Sequence, residues 1–428
     1  MKRFFTIILL SVFSITILTA QTKTVNLSLG KGYANLAWYD LIQDSTTTAP
    51  LNAWDLAIMT IGQNAAIRIN SGFGCHLWEV VSKTSDDFGN PIDTTGLTTD
   101  TTKFIEWIDS DQKWQVGAFN MGKDGYEDNG DFGWGDYNMS THAIHGSKLF
   151  ILLDVAGKYH QIRIEDLLGG VYYFAYSDID GSNQKEEEFN KQPYNTKTFA
   201  YYSIATNPDQ KLDLEPGMWS LVFGKYIAMI DNGNGNVVPY TVTGVRTNYG
   251  WTSVKVSGQD PATVNPPSIS QFSDIISTIG YTWKKLDQNY QYQIPNDICY
   301  FIQSPDGLAW KIVFKSFEGS STGNLSFEQT PVQINSVKDN SDNTLGSFGI
   351  TPNIIESGNP IQFSYSVTNA NGNGNIAVYN LNSQKVFEMN LPSANFNAME
   401  INPVLPAGMY FVVFSINGYQ EMQKLIVK

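Results

Sequence analysis

Histidine and cysteine are scarce in this chain, with four of the first and two of the second among 428 residues. Cys75 and Cys299 allow at most one internal bridge. An oxidising compartment would permit it, but the sequence does not decide it, and two buried free thiols are the plainer reading. Charge is also sparse, at 16% of residues, and one-sided, with 41 Asp and Glu against 27 Lys and Arg. Without a basic patch to neutralise phosphates, the chain is not expected to bind nucleic acid or an anionic membrane. Neither a nucleophile elbow, a Walker loop, a metal triad nor a paired set of carboxylates stands at the spacing its chemistry needs, so the reading is of a protein that is not an enzyme. No segment carries a sustained helical period. The best helical candidate, Ile269 to Ile279, is short and rich in Ser.

Long apolar runs are missing too, except at the start. Lys2 and Arg3 precede the run Phe4 to Leu18, and Thr19-Ala20 before Gln21 supplies a small residue for cleavage. That is the pattern of a secretory signal peptide over residues 1–20. The run is too short and too rich in Ser and Thr for a comfortable membrane span, and no second one follows, so no transmembrane segment is expected after its removal. Loss of Lys2 and Arg3 takes the net charge from −14 to about −16. The expected address is secreted, at the outer-membrane surface or in the medium.

What is abundant is strand pattern, written twice. The first stretch reads Trp38-Tyr39-Asp40-Leu41 and then Ala53-Trp54-Asp55-Leu56-Ala57-Ile58; the second reads Tyr201-Tyr202-Ser203-Ile204 and then Met218-Trp219-Ser220-Leu221-Val222-Phe223. Leu149 to Leu153, Gly157 and Ile162-Arg163-Ile164 recur in order as Ile298 to Ile302, Asp306-Gly307 and Ile312-Val313-Phe314. A repeat this long is a duplicated domain. Ile67-Arg68-Ile69-Asn70, Tyr159 to Glu165 and Tyr240 to Val245 alternate apolar and polar residues between turn-forming clusters, as strands do. The fold class is therefore all-β. Copy 1 is assigned to residues 21–195, with an insertion near Met121 to Asn138, and copy 2 to 196–332. Residues 333–347, nearly free of apolar side chains, read as a linker, and 348–428 as a small β-sandwich.

That C-terminal segment resembles the type A C-terminal sorting domain of cargo exported by the type IX secretion system. The likeness lies in Thr351-Pro352-Asn353, Ile376-Ala377-Val378-Tyr379-Asn380, Ser383-Gln384-Lys385-Val386, Leu405-Pro406-Ala407-Gly408-Met409-Tyr410 and a last strand ending in Lys428. It departs at Ile354, where members commonly carry a second proline. The resemblance implies that residues 348–428 are read by the secretion machinery. The duplicated region resembles the HmuY-like family of exported all-β proteins. The residues are Ala53 to Ile58, Asp131-Phe132-Gly133-Trp134-Gly135-Asp136-Tyr137-Asn138, Lys158 to Ile164 and Tyr172-Tyr173-Phe174-Ala175-Tyr176, with Trp219, Lys311 and Leu325-Ser326-Phe327-Glu328 in the second copy. Founding members bind haem through axial His, sometimes Met, on loops; no matching ligand motif transfers to this chain residue by residue.

Haem needs one or two axial donors beside an apolar slot. His160 shares a strand face with Ile162 and Ile164 and corresponds to Trp310 of the second copy, so it reads as core; His76, aligned with Val237, reads as structural. His142 and His145, with Met139 beside them, lie in a loop next to an aromatic block. Two readings stand for them, haem ligands or ordinary half-exposed loop residues. Asp178, Asp180 and Asn183 form one oxygen-rich loop that suggests calcium, and Asp124 to Asp131 another; neither has the spacing of a twelve-residue calcium loop, and a solvated acidic loop accounts for both. The sequence thus points to a small-molecule binder, for a porphyrin first, or to a surface protein that holds glycans on exposed aromatic rings.

Overall fold

The computed structural model describes residues 22–121, 130–205, 211–334, 346–367, 374–380, 384–391, 396–416 and 419–428. The signal segment, most of the Asp124 to Asp131 cluster and the Asn371-Gly372 turn lie outside them. The described chain is all-β, with only short 3₁₀ turns beside the strands, one of them at Ile269–Gln271 where a small helix was expected. No helix among the described residues is long and apolar enough to cross a membrane.

The strands of the body begin with β1 (Lys23–Ser28), β2 (Asn35–Asp40), β3 (Ser45–Pro50), β4 (Leu56–Met59), β5 (Ile67–Ile69), β6 (His76–Thr84) and β7 (Phe104–Trp107). Next come β8 (Gly135–Asn138), β9 (Ala143–Gly146), β10 (Lys148–Leu153), β11 (Tyr159–Leu168), β12 (Val171–Asp178), β13 (Lys185–Asn190), β14 (Phe199–Tyr202) and β15 (Lys211–Leu212). The body ends with β16 (Leu221–Asp231), β17 (Val237–Thr247), β18 (Thr252–Ser257), β19 (Lys285–Leu286), β20 (Tyr292–Gln293), β21 (Ile298–Gln303), β22 (Ala309–Phe317) and β23 (Asn324–Val332).

The repeat is present strand for strand, but the copies are not separate domains. One sheet runs β13-β12-β11-β10-β6-β7 and its counterpart β1-β23-β22-β21-β18; the second pair of sheets runs β15-β14-β4-β5 and β17-β16-β2-β3. The opening strands of each copy therefore pair with the other copy. β1 lies on β23, with Val25 opposite Phe327, and β2 on β16, with Trp38 opposite Val222. Reciprocally, β14 of the second copy lies on β4 of the first, with Tyr201 opposite Ala57, while β13, which takes the place of β1 in the sheet, lies on β12. A boundary at residues 195/196 would cut through the β4–β14, β1–β23 and β2–β16 ladders. The observed modules are β4–β15, a contiguous segment, and β1–β3 with β16–β23. Their cores confirm this: one joins Leu56, Phe150, Phe174 and Tyr202, the other Val25, Tyr39, Phe223 and Phe327.

Both central strands are buried on two faces, which is why they read as continuous apolar runs instead of alternating. Ala37 and Tyr39 point into one module core, whereas Leu36 and Trp38 meet Trp54, Trp114, Phe199 and Tyr201 in a seam between the modules. Asp55, fully buried, ties the exchange together. Its Oδ1 accepts from the Val155 N–H at 2.8 Å, and its Oδ2 from the Ile204 and Ala205 N–H groups at 2.7 and 3.1 Å and from Ser203 Oγ at 3.1 Å. At the equivalent place Ser220 Oγ accepts one bond, from the Leu41 N–H. Cys75 and Cys299 are buried and unpaired with each other.

Ile334–Lys428 belongs to a second compact unit. Its strands are β24 (Gly346–Thr351), β25 (Ile354–Ile355), β26 (Ile361–Val367), β27 (Gly374–Asn380), β28 (Lys385–Leu391), β29 (Phe396–Ile401), β30 (Gly408–Ile416) and β31 (Tyr419–Val427). The sheets β24-β26-β29 and β25-β31-β30-β27-β28 close over Phe363, Tyr365, Val412, Phe414 and Leu425, giving the expected sandwich. β24 starts at Gly346, two residues inside the expected linker.

Candidate functional site

Met139, His142 and His145 fall on one exposed hairpin. β8 and β9 pair with Tyr137 opposite Ile144, and β9 continues onto β11 with His145 opposite Asp166. Met139, at the tip, is 83% exposed. His142 takes a left-handed backbone (φ 56°), and its Nδ1 meets the Tyr137 hydroxyl at 2.8 Å. His145 has both ring nitrogens engaged, Nδ1 with Asp166 Oδ1 at 2.5 Å and Nε2 with Thr141 Oγ1 at 3.0 Å. The hairpin thus gathers the three candidates but holds them differently: Met139 and His142 are exposed, His142 bonding through Nδ1, whereas His145 is held through both ring nitrogens.

The other two histidines lie apart from this hairpin. His160 is buried opposite Leu152, as Trp310 is opposite Ile302, and its Nε2 lies 2.8 Å from Asp154 Oδ2. His76 is exposed, stacked on Trp78 at 5.4 Å and 2.6 Å from Glu106. Its partner in the second copy is Thr252, not Val237, because β6 corresponds to β18; His76 pairs Leu153 as Thr252 pairs Gln303.

Asp178, Asp180 and Asn183 close the β12–β13 turn on themselves. Asp178 Oδ1 binds the Lys158 ammonium at 2.6 Å and Oδ2 accepts the Asn183 amide at 2.8 Å, while Asp180 Oδ1 accepts the Ser182 N–H and hydroxyl. These bonds hold the Asp178 carboxyl below its ordinary range, the Lys158 bond most. A lysine already supplies the cation, and the Asn183 group turned inward is its NH₂ donor, so the arrangement does not fit a calcium loop. Among the described residues no three His, Cys, Asp or Glu side chains converge as a metal site. Glu186, Glu187 and Glu188 belong to β13 and not to this loop.

The seam between the modules encloses a cavity of about 40 Å³ that residue-by-residue reading of motifs did not find. Its walls include Trp38, Trp114, Tyr201 and Tyr226, and its charged residues are Arg68, Arg246, Lys225 and Asp109, three cations against one carboxylate in a chain of net charge −14. Arg68 pairs Ala57 across β4–β5, and Arg246 pairs Val222 across β16–β17; each is the same step from its own Trp, Trp54 or Trp219. The signal was in the sequence as Ile67-Arg68-Ile69-Asn70 and Val245-Arg246-Thr247-Asn248. The two asparagines confirm the equivalence, since Asn70 Nδ2 donates to the Trp54 carbonyl and Asn248 Nδ2 to that of Trp219, both at 2.8 Å. A wider groove of about 530 Å³ elsewhere holds Lys311 and Lys315, but Lys311 donates to the Pro261 carbonyl and Lys315 pairs with Glu328.

The C-terminal sandwich defines the class of protein. Residues 357–428 match the family described as a secretion system C-terminal sorting domain. This chain therefore carries a type IX sorting domain, which directs export to the cell surface or the medium and engages the secretion machinery. No curated protein matches the chain. Among solved structures it is similar to apo PinO from Porphyromonas gingivitis, at 10% identity over 74% of this chain and all of that one, with a TM-score of 0.26. A polysaccharide lyase is similar at 12% identity over 60% of this chain and 39% of its own, TM-score 0.18. Dimeric latent PorU from Porphyromonas gingivalis is similar at 8% identity over 92% and 33%, TM-score 0.16. At these scores none defines a shared fold.

Proposed function

We propose that this protein is an exported, non-catalytic binding protein whose ligand, haem or a related porphyrin, is held at the β8–β9 hairpin. One observation carries the reading. Both copies place a short hairpin ahead of matching strands, β8–β9 before β10 and β19–β20 before β21, yet only the first holds His and Met side chains, those of Met139, His142 and His145. Donors placed on the loop of one of two matching scaffolds add capability without being needed for the scaffold itself. The HmuY-like resemblance supplies the ligand class, and the exposed Met139 and His142 supply donors of the type that haem iron accepts.

The test is a haemin titration followed by visible absorption in both oxidation states. A saturable Soret shift with low-spin features, lost in the His142→Ala, His145→Ala double variant, is the expected result. Weak, non-saturating association would sink the porphyrin reading. A second reading, a surface protein that holds glycans, draws on Tyr290, 81% exposed at the turn between β19 and β20, and on exposed Tyr240. Glycan-array binding lost in Tyr290→Ala, with no haemin response, would favour it.

A further inference from the structure

The seam cavity joins two guanidinium groups that differ in one respect. Arg68 donates to the carbonyls of Ser110, Lys113 and Val116 at 2.7 to 3.2 Å and lies 3.8 Å from Asp109. Arg246, its counterpart, contacts the rings of Trp114 at 4.5 Å and Tyr226 at 4.7 Å. Among the described residues its guanidinium has no hydrogen-bond acceptor and no carboxylate within ion-pair distance. Both arginines lie over the ring of Trp114, so the two charges share one aromatic neighbour. Arg246 is half-buried beside aromatic rings, where its guanidinium keeps only part of its hydration, and an anion that supplies acceptors there is favoured. Burial first, and the Arg68 charge second, bring the Arg246 guanidinium down to about 10.

We propose that this cavity is a binding site for a small carboxylate, with Arg246 as its anchor and the aromatic seam as its walls. The size fits: one water needs roughly 10–15 Å³ of such volume, so about 40 Å³ admits a carboxylate with a short apolar stub and excludes a porphyrin. The shape fits as well. A guanidinium presents paired N–H groups in a plane, which a carboxylate accepts with two oxygens and a spherical anion cannot. The excess of cations around the cavity draws an anion into an otherwise acidic protein. The site lies in the seam, apart from the hairpin, so it stands or falls independently of the porphyrin reading.

The experiment is a titration of the full chain with sodium acetate at constant ionic strength, read by tryptophan fluorescence and calorimetry, with sodium chloride as the matched control. Trp114 lies against Arg246, so its emission should respond saturably to acetate, and the Tm should rise with acetate concentration. Arg246→Met should abolish the response, and Arg246→Lys, which keeps the charge without the planar fork, should weaken it about tenfold. Unchanged acetate affinity in either variant overturns the assignment, as does equal affinity for chloride or the lack of any saturable response. If Arg246→Met does not fold, Arg246→Lys alone decides.

Discussion

Arg68 and Arg246 are equivalent residues of the two repeats, and both lie against one ring, that of Trp114, at 5.1 and 4.5 Å. The ring itself has one origin: Trp114 comes from the segment after β7, and its Nε1 donates to the Thr247 carbonyl across the seam at 2.8 Å. Symmetry brings the arginines together, and this one segment makes them unequal by giving its carbonyls to Arg68.

The inequality predicts opposite costs for the same substitution. Arg68→Met removes the donors of three inward carbonyls and the partner of Asp109, and should destabilise by about 3 kcal/mol. Arg246→Met removes no hydrogen bond and relieves the repulsion from Arg68, so its stability should stay within about 1 kcal/mol of the parent. Urea unfolding of both variants at neutral pH checks this, and equal losses would contradict the described geometry.

Asp55 and Ser220 form a second unequal pair. Asp55→Ala leaves three N–H groups without an acceptor, the buried one of Ile204 and the partly buried ones of Val155 and Ala205, and should cost about 3 kcal/mol. Ser220→Ala orphans only the Leu41 N–H and should cost about 1 kcal/mol. Denaturation midpoints measured side by side separate the two.

Much of this was legible in the sequence. The strands, the repeat, His160 as the partner of Trp310 and the terminal sandwich follow from alternation and from turn residues, which act locally. The strand exchange was not legible, because pairing is a long-range choice: β2 presents the same apolar faces whichever copy supplies its neighbour. The seam was missed for a related reason. Leu36 and Trp38 read as ordinary core until a second buried face is known, and Arg246 reads as the polar side of an alternating strand. Composition also does not reveal that Lys158 and the loop's own N–H groups bond the Asp178 and Asp180 oxygens.

Glu215 predicts how stability depends on pH. It is 2% exposed, and burial raises its carboxyl to about 7 from an ordinary 4.5, although it accepts the Thr198 N–H at 2.6 Å. Between these two values the folded chain keeps a proton that the unfolded chain has released, so this group's contribution falls as pH rises from 4.5 through 7. The loss is of order 3 kcal/mol when complete. Glu215→Gln should match the parent near pH 4.5 and exceed it in stability at pH 8. Melting temperatures at the two pH values, with no divergence between the proteins, would refute it.

The exchanged strands predict which fragment folds. A fragment of residues 21–195 lacks β14 and β15, leaving β4 without its neighbour and the core without Ala200, Tyr202 and Ile204. Residues 51–216 contain every strand of the sheets β13-β12-β11-β10-β6-β7 and β15-β14-β4-β5 and the whole first core. The longer-reaching fragment should therefore unfold cooperatively on heating, whereas the first should not, although it is longer in sequence and follows the repeat boundary. The folding fragment would also expose the seam face of Trp54, Trp114, Phe199 and Tyr201, so it should self-associate as its concentration rises. Calorimetry and sedimentation of both fragments test the two statements separately. Cooperative folding of residues 21–195 alone would mean that the copies can pair within themselves and that the exchange is a choice the chain can reverse.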